Sequence, residues 1–150
     1  MNLAAWVAKR AHLHPERPIL KHDGRIYRNR DFADAVDATA RSLAACGLQP
    51  GARVVTLMTN TPAFLSVLFA CARTGAVLVP LDGKLAWPEL ERIIRDCTPR
   101  LLVYSAVFAQ TAAALTGRGL PLVRCLACDD DTLSDPPSPS RDSARASDEA

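Results

Sequence analysis

From residue 53 onward the sequence is punctuated by four short apolar runs: Arg53-Val54-Val55-Thr56-Leu57-Met58, Val77-Leu78-Val79-Pro80-Leu81, Leu101-Leu102-Val103-Tyr104, and Leu122 to Leu126. Runs this short, with little polar alternation, suit strands buried on both faces, and the segments between them have the length of helices rather than of hairpin turns. The alternation confines the fold to the α/β class, with a mainly parallel sheet flanked by helices.

The connecting segments support that reading. Asn60 or Thr61 is placed to cap a helix with Pro62 in its first turn, running to Thr74 and stopping at Gly75. Phe64, Leu68 and Cys71 lie on one side of it and Leu65, Val67 and Phe69 around the rest, so it is expected to be covered on more than one side. A helix from Trp87 to Asp96 turns Leu90, Ile93, Ile94 and Cys97 inward, and another spans Val107 to Leu115. Ahead of the alternation, Asn2 caps a short helix to about His14, and Pro15 and Pro18 force an extended exit. A small N-terminal hairpin follows, Ile19 to His22 and Arg25 to Tyr27 around Asp23-Gly24, a pair suited to the positive φ angles of a type I′ turn. The clearest helix runs from Asn29 to Cys46, with Phe32, Val36, Thr39, Leu43 and Cys46 on one face and Gly47 placed to end it.

Composition divides the chain. Residues 129–150 carry seven acidic groups and two basic ones, with Pro136, Pro137, Pro139, five Ser and a single Leu. Such a segment cannot repay its ordering entropy, so 129–150 reads as an acidic linker or disordered tail and 1–128 as the folded unit. The folded unit then holds a net +7 within an overall +2. Its arginines are spread along the chain without a cluster, which gives no reason to expect nucleic acid. The longest apolar run, Ala63 to Ala72, ends at Arg73 and falls short of the roughly 20 residues a membrane span needs. Lys9 and Arg10 follow rather than precede the first apolar residues, so no secretory signal is expected. The five cysteines are then expected to be cytoplasmic thiols.

Few residues carry chemistry of their own. Cys125-Leu126-Ala127-Cys128 is a C-x-x-C, but a zinc site needs further ligands, and His12, His14 and His22 are all near the other end of the chain. A redox pair needs a helix N-terminus, whereas this one is expected to follow the last strand and precede an acidic tail. No G-x-x-x-x-G-K-[ST] is present, and Gly117-Arg118-Gly119 lacks a third glycine and a preceding strand. Leu81-Asp82-Gly83-Lys84 follows a strand, where α/β sheets bind ligands, but reads first as a turn. Asn60 and Thr61 stand at a strand-to-helix junction that could hold an anion, though capping accounts for them. His12 and His14 read as surface residues. No catalytic, cofactor-binding or metal residue is assigned.

Taken together, Gly47-Leu48-Gln49-Pro50-Gly51-Ala52-Arg53-Val54, Met58-Thr59-Asn60-Thr61-Pro62-Ala63-Phe64 and Ala70-Cys71-Ala72-Arg73-Thr74-Gly75-Ala76-Val77-Leu78-Val79-Pro80-Leu81 resemble the N-terminal region of adenylate-forming enzymes, the AMP-dependent synthetases and ligases. His14 to Ile19, Tyr27 to Phe32 and Leu90 to Val103 are similar to the same region, so the resemblance covers about residues 3–108. Ala52 departs from it, standing where the family commonly has an acidic residue.

The resemblance implies a reaction in two steps. A carboxylate attacks the α-phosphate of ATP to give an acyl-adenylate and pyrophosphate, and CoA or another thiol then displaces AMP. ATP, Mg²⁺ and CoA are thus implied for the full-length family. The phosphate loop with its Lys, the nucleotide-binding segment, the ribose-binding Asp and the catalytic Lys of the C-terminal domain match nothing in this chain, whose only lysines are Lys9, Lys21 and Lys84. The expectation is an N-terminal subdomain, inactive alone, truncated before the phosphate loop. Its partner would be the missing catalytic half or a complementary chain, with self-association through an exposed apolar face of the Pro62 to Thr74 helix as a further route. The alternative is a noncatalytic interaction or scaffold module derived from the same fold. A small flavodoxin-like nucleotide binder is disfavoured because no strand leads into a glycine-rich loop.

Overall fold

The computed structural model describes residues 3–120, 124–128 and 138–139. Helix α1 spans Leu3–Leu13, strands β1 Pro18–His22 and β2 Arg25–Arg28 form the hairpin, and α2 runs Asn29–Ala45. The α/β portion follows as β3 Arg53–Leu57, α3 Pro62–Thr74, β4 Val77–Pro80, α4 Trp87–Cys97, β5 Leu101–Ser105, a 3-10 turn at Ala106–Phe108, α5 Ala109–Thr116 and β6 Arg124–Cys128. A two-residue strand, β7 Ser138–Pro139, completes the order.

The sheet is ordered β4-β3-β5-β6-β7; its first four strands are parallel and β7 is antiparallel to β6. The expected fold class is therefore the observed one. The hairpin forms a separate two-stranded sheet, with Asp23 at φ 46° and Gly24 at φ 78°, as its turn type requires. The last parallel strand runs past the expected end at Leu126 to Cys128. Its described part, Arg124–Cys128, takes in the whole C-x-x-C, while residues 122 and 123 fall outside the described set. Strand β7 lies within the segment read as linker or tail, pairing Pro139 with Leu126 and Ser138 with Ala127; the rest of 129–150 is outside the described residues.

Strand alternation sends successive residues to opposite faces and builds two cores. On one face Val54, Leu101, Val103, Leu126 and Cys128 pack against Ala40 and Leu43 of α2 and Ala63, Val67, Ala70 and Cys71 of α3. On the other, Val55, Leu57 and Leu102 meet Leu90 and Ile94 of α4 and Ala112 and Leu115 of α5. A third cluster joins Val7, Tyr27, Phe32, Ala35 and Val36, with Leu65 and Phe69 of α3 packed on it. Phe69 stacks on Trp6 and meets Phe32 edge-on.

Helix α3 is thus covered twice, by the sheet and by the α1–hairpin–α2 layer, which accounts for its apolar circumference. It leaves no exposed large apolar side chain, contrary to the expected open face: Phe64, Leu65, Leu68 and Phe69 are all half-buried. Among the described residues the exposed large hydrophobics are Leu3 and Leu13 at opposite ends of α1, Ile26 in β2, Val77 in β4 and Val107 in the 3-10 turn.

Main-chain bonds close the amino end of the sheet. Gly51 N–H donates to Gly75 O at 2.7 Å, Val77 N–H to Ala52 O at 2.8 Å, and Arg100 N–H to Arg53 O at 2.9 Å. Gly75 ends α3 at φ 75°, and a Cβ there would lie 3.2 Å from Pro50 Cβ, so both the backbone angle and the space call for glycine.

Candidate functional site at the carboxyl edge of the sheet

Strand order reverses between β3 and β5, and in open α/β sheets the crevice at the carboxyl ends beside such a reversal is where ligands bind. Three loops converge on this edge: Met58–Thr61 after β3, Leu81–Ala86 after β4, and the turn Ala106–Phe108 after β5. Direct contacts join them. Thr59 N–H donates to Ser105 Oγ at 3.2 Å, and Ser105 is fully buried. Gly83 lies against the Phe108 ring, where a Cβ would sit 2.2 Å from Cε1.

The residues singled out in the sequence are placed as follows. Asp82 Oδ1 accepts from Lys84 N–H at 2.9 Å and Asp82 O from Leu85 N–H at 3.1 Å, so this segment is an Asx-type turn with both charged side chains exposed. Thr61 is the N-cap residue of α3, in extended conformation, but it makes no side-chain cap bond, contrary to the expected role. Pro62, with its fixed φ and no N–H to satisfy, already favours a helix start there. Asn60 is exposed. Thr56, one turn of the pleat earlier on β3, is buried with no hydrogen-bond partner for its hydroxyl.

The C-x-x-C lies inside β6 rather than after it, which removes the helix N-terminus that a reactive pair needs, and Cys128 is buried in the first core. Burial raises the Cys71 thiol to about 12 and also raises that of Cys97. No group of three or more metal-binding side chains occurs among the described residues. His12 and His14 are exposed at the end of α1, while His22 lies in β1, 3.3 Å from the Asp23 carboxylate. Gly117-Arg118-Gly119 follows α5, and Arg118 is held on α4: its guanidinium pairs with Glu91 at 2.7 Å and lies 4.7 Å from the Trp87 ring centre.

Two surface pockets lie in the N-terminal layer. One of about 430 Å³ between β2 and α2 is lined by Arg25, Tyr27, Asp34 and Arg41 among others; the other, of about 170 Å³, is lined by Trp6, Ile19, Leu20, Phe32, Leu65 and Phe69.

Sequence reasoning missed Asn29. It is fully buried at the start of α2, donates from Nδ2 to His14 O at 2.8 Å, and accepts from Arg10 Nε at 3.4 Å. Its own N–H donates to Arg17 O at 3.0 Å. Its position suggests a helix cap, but its side chain reaches back to α1. The N-cap backbone is served instead by Asp31, which accepts from Arg28 N–H at 3.2 Å.

These observations test whether ATP and Mg²⁺ fit the described residues. The single glycine in the carboxyl-edge loops has its side-chain space filled by Phe108, and Lys84 stands exposed in a turn. The edge therefore provides no backbone cradle for phosphates and no metal-binding cluster, and no step through either group is derived from it.

Comparison with known proteins adds a separate line of observation. The family model described as AMP-binding enzyme matches residues 7–149. A feruloyl-CoA synthase of an Amycolatopsis species is 37% identical over 137 residues, which is 91% of this chain and 27% of that protein. An indoleacetate–CoA ligase of Aromatoleum aromaticum is 35% identical over 102 residues, 68% of this chain and 20% of that one. The inhibitor-bound N-terminal domain of FACL13 from Mycobacterium tuberculosis has a TM-score of 0.78 at 26% identity, covering 89% of this chain and 34% of that chain. The chain thus spans only about a quarter of the length of the curated relatives it matches.

Proposed function

The chain belongs to the AMP-binding enzyme family, and from that premise we propose that it is the N-terminal scaffold of an ATP-dependent acid–thiol ligase. The complete ligase activates a carboxylic acid as its acyl-adenylate and transfers the acyl group to CoA or another thiol. The observation that carries this reading is the family match over residues 7–149, alongside relatives named as CoA ligases.

The residues of this chain do structural work in that reaction. Two cores fix four parallel strands, and the Thr59–Ser105 bond and the Gly83–Phe108 contact lock the carboxyl-edge loops against one another. That makes a rigid wall, against which a catalytic half, on the same or a complementary chain, packs and brings its phosphate loop, nucleotide site and catalytic lysine. We place the protein in the cytoplasm, where thiols such as Cys46, Cys71 and Cys97 stay reduced. No helix among the described residues is long and apolar enough to cross a membrane.

The test is ATP–pyrophosphate exchange. The 150-residue chain, given ATP, Mg²⁺ and a panel of aromatic and aliphatic acids, is expected to show none, and exchange above background would refute the scaffold role. Reading the gene beyond codon 150 supplies the other arm. A Ser/Thr/Gly-rich loop with a Lys, in frame or after one frameshift, and exchange by that longer protein are expected; a stop codon with nothing recognisable beyond it favours a noncatalytic module of the same fold.

A further inference from the structure

We propose that Pro80 bars the open edge of the sheet to strand addition, so that β4 neither pairs with a second copy of this chain nor captures an extended segment. Strand β4 stands at one end of the sheet order, while β7 covers part of β6 towards the other. Val77 N–H donates to Ala52 O and Leu81 N–H to Thr56 O, both at 2.8 Å, so the odd-numbered residues of β4 face β3. Strand alternation turns the main-chain groups of Leu78 and Pro80 outward.

Two outward donors would be enough to begin a ladder. Proline has no N–H, which leaves Leu78 as the one outward donor within β4. Nothing else in the segment discourages pairing: Ala76 to Leu81 carries no charge, Val77 is 47% exposed, and Leu78 and Val79 are half-buried. Edge strands of this composition are usually protected by a lysine, a bulge or a proline, and here only the proline is present. Pro80 is itself exposed and stays in register with Thr56, so a residue bearing an N–H can replace it without disturbing the pairing to β3.

The test compares the parent 150-residue chain with Pro80→Val, and with Pro80→Ala as a second variant that restores the N–H without a large side chain. Sedimentation velocity over a range of concentrations measures mass, and amide exchange measures protection at Leu78. The parent is expected to show an unprotected Leu78 amide at every concentration. Either variant, folded by circular dichroism, is expected to gain protection at Leu78 and at least about a twofold rise in weight-average mass, the minimum for pairing between copies. Adding Val77→Lys to Pro80→Val is expected to restore the parent mass. The proposal is overturned if both folded variants keep the parent mass, if Val77→Lys leaves the raised mass unchanged, or if the parent associates with Leu78 protected.

Discussion

Asn29 is the most informative single position, because its side chain ties α1 to α2 from a fully buried place at the start of α2. Replacement by alanine removes the 2.8 Å bond to His14 O and the 3.4 Å bond from Arg10 Nε. The first contributes about 1 kcal/mol net, and the second falls short of the roughly 1.5–3 kcal/mol of a well-formed charged bond because it is long and Arg10 is half-buried. With the small void left behind, the cost comes to about 2 kcal/mol. For a chain of this size that lowers the melting temperature by about 4–8 °C.

Calorimetry and urea titration of the 150-residue chain measure this cost, and Asn29→Leu separates its causes. Leucine fills the space but supplies neither bond, so it is expected to be destabilised about as much as alanine. Amide exchange is also expected to quicken at positions 29 and 30 in both variants, since the residue 29 N–H donates to Arg17 O and the Arg30 N–H to Pro15 O across the same junction. If Asn29→Ala remains within about 0.5 kcal/mol of the parent, or Asn29→Leu recovers parent stability, the side-chain bonds are not what holds the junction.

Two further outcomes follow from the packing. Gly83→Ala places a methyl group where the Phe108 ring lies and is expected to cost about 1–3 kcal/mol; Phe108→Ala in the same chain should remove most of that increment, and simple additivity in the double-mutant cycle would argue against the contact. The Cys71 thiol, raised to about 12 by burial, holds its proton more tightly in the folded than in the unfolded chain. Its contribution to stability is therefore full below the unfolded pKa near 9 and declines as pH rises from there towards 12. Cys71→Ala is expected to cost stability at pH 7 and to differ less from the parent at pH 10.5, and a gap that stays constant with pH would contradict the assignment.

Much of the fold was legible because its signals are local. The 4-3-4-3 spacing in α2 and the Pro62 and Gly75 boundaries of α3 appear in the structure within a residue of where the sequence places them. The last strand runs two residues past the expected end at Leu126, because Leu126, Ala127 and Cys128 follow one another without a glycine, proline or charge, so nothing local marks where pairing with β5 ends. Asn29 was missed for a related reason: its partners lie 15 and 19 residues upstream, beyond any local pattern. Thr61 misled in the opposite direction, since a residue type that often caps helices stands at a helix start that proline already favours. The candidate site was legible only as a set of loops, because the contacts that lock it, Thr59 to Ser105 and Gly83 to Phe108, arise from sheet order.

The amino end of the sheet bears on how freely this sequence can drift. Ala52, the position that departs from the family pattern, contributes only main-chain bonds there: its N–H donates to Gln49 O at 3.0 Å and its carbonyl accepts from Val77 N–H at 2.8 Å. A position recognised through its backbone is nearly neutral to side-chain change, so lineages can exchange acidic and apolar residues at 52 without altering the fold. Gly75, on the same edge, is fixed by both its backbone angle and the neighbouring proline. Divergence among relatives should therefore accumulate at one of these two positions and be purged at the other, although their turns are bonded to each other.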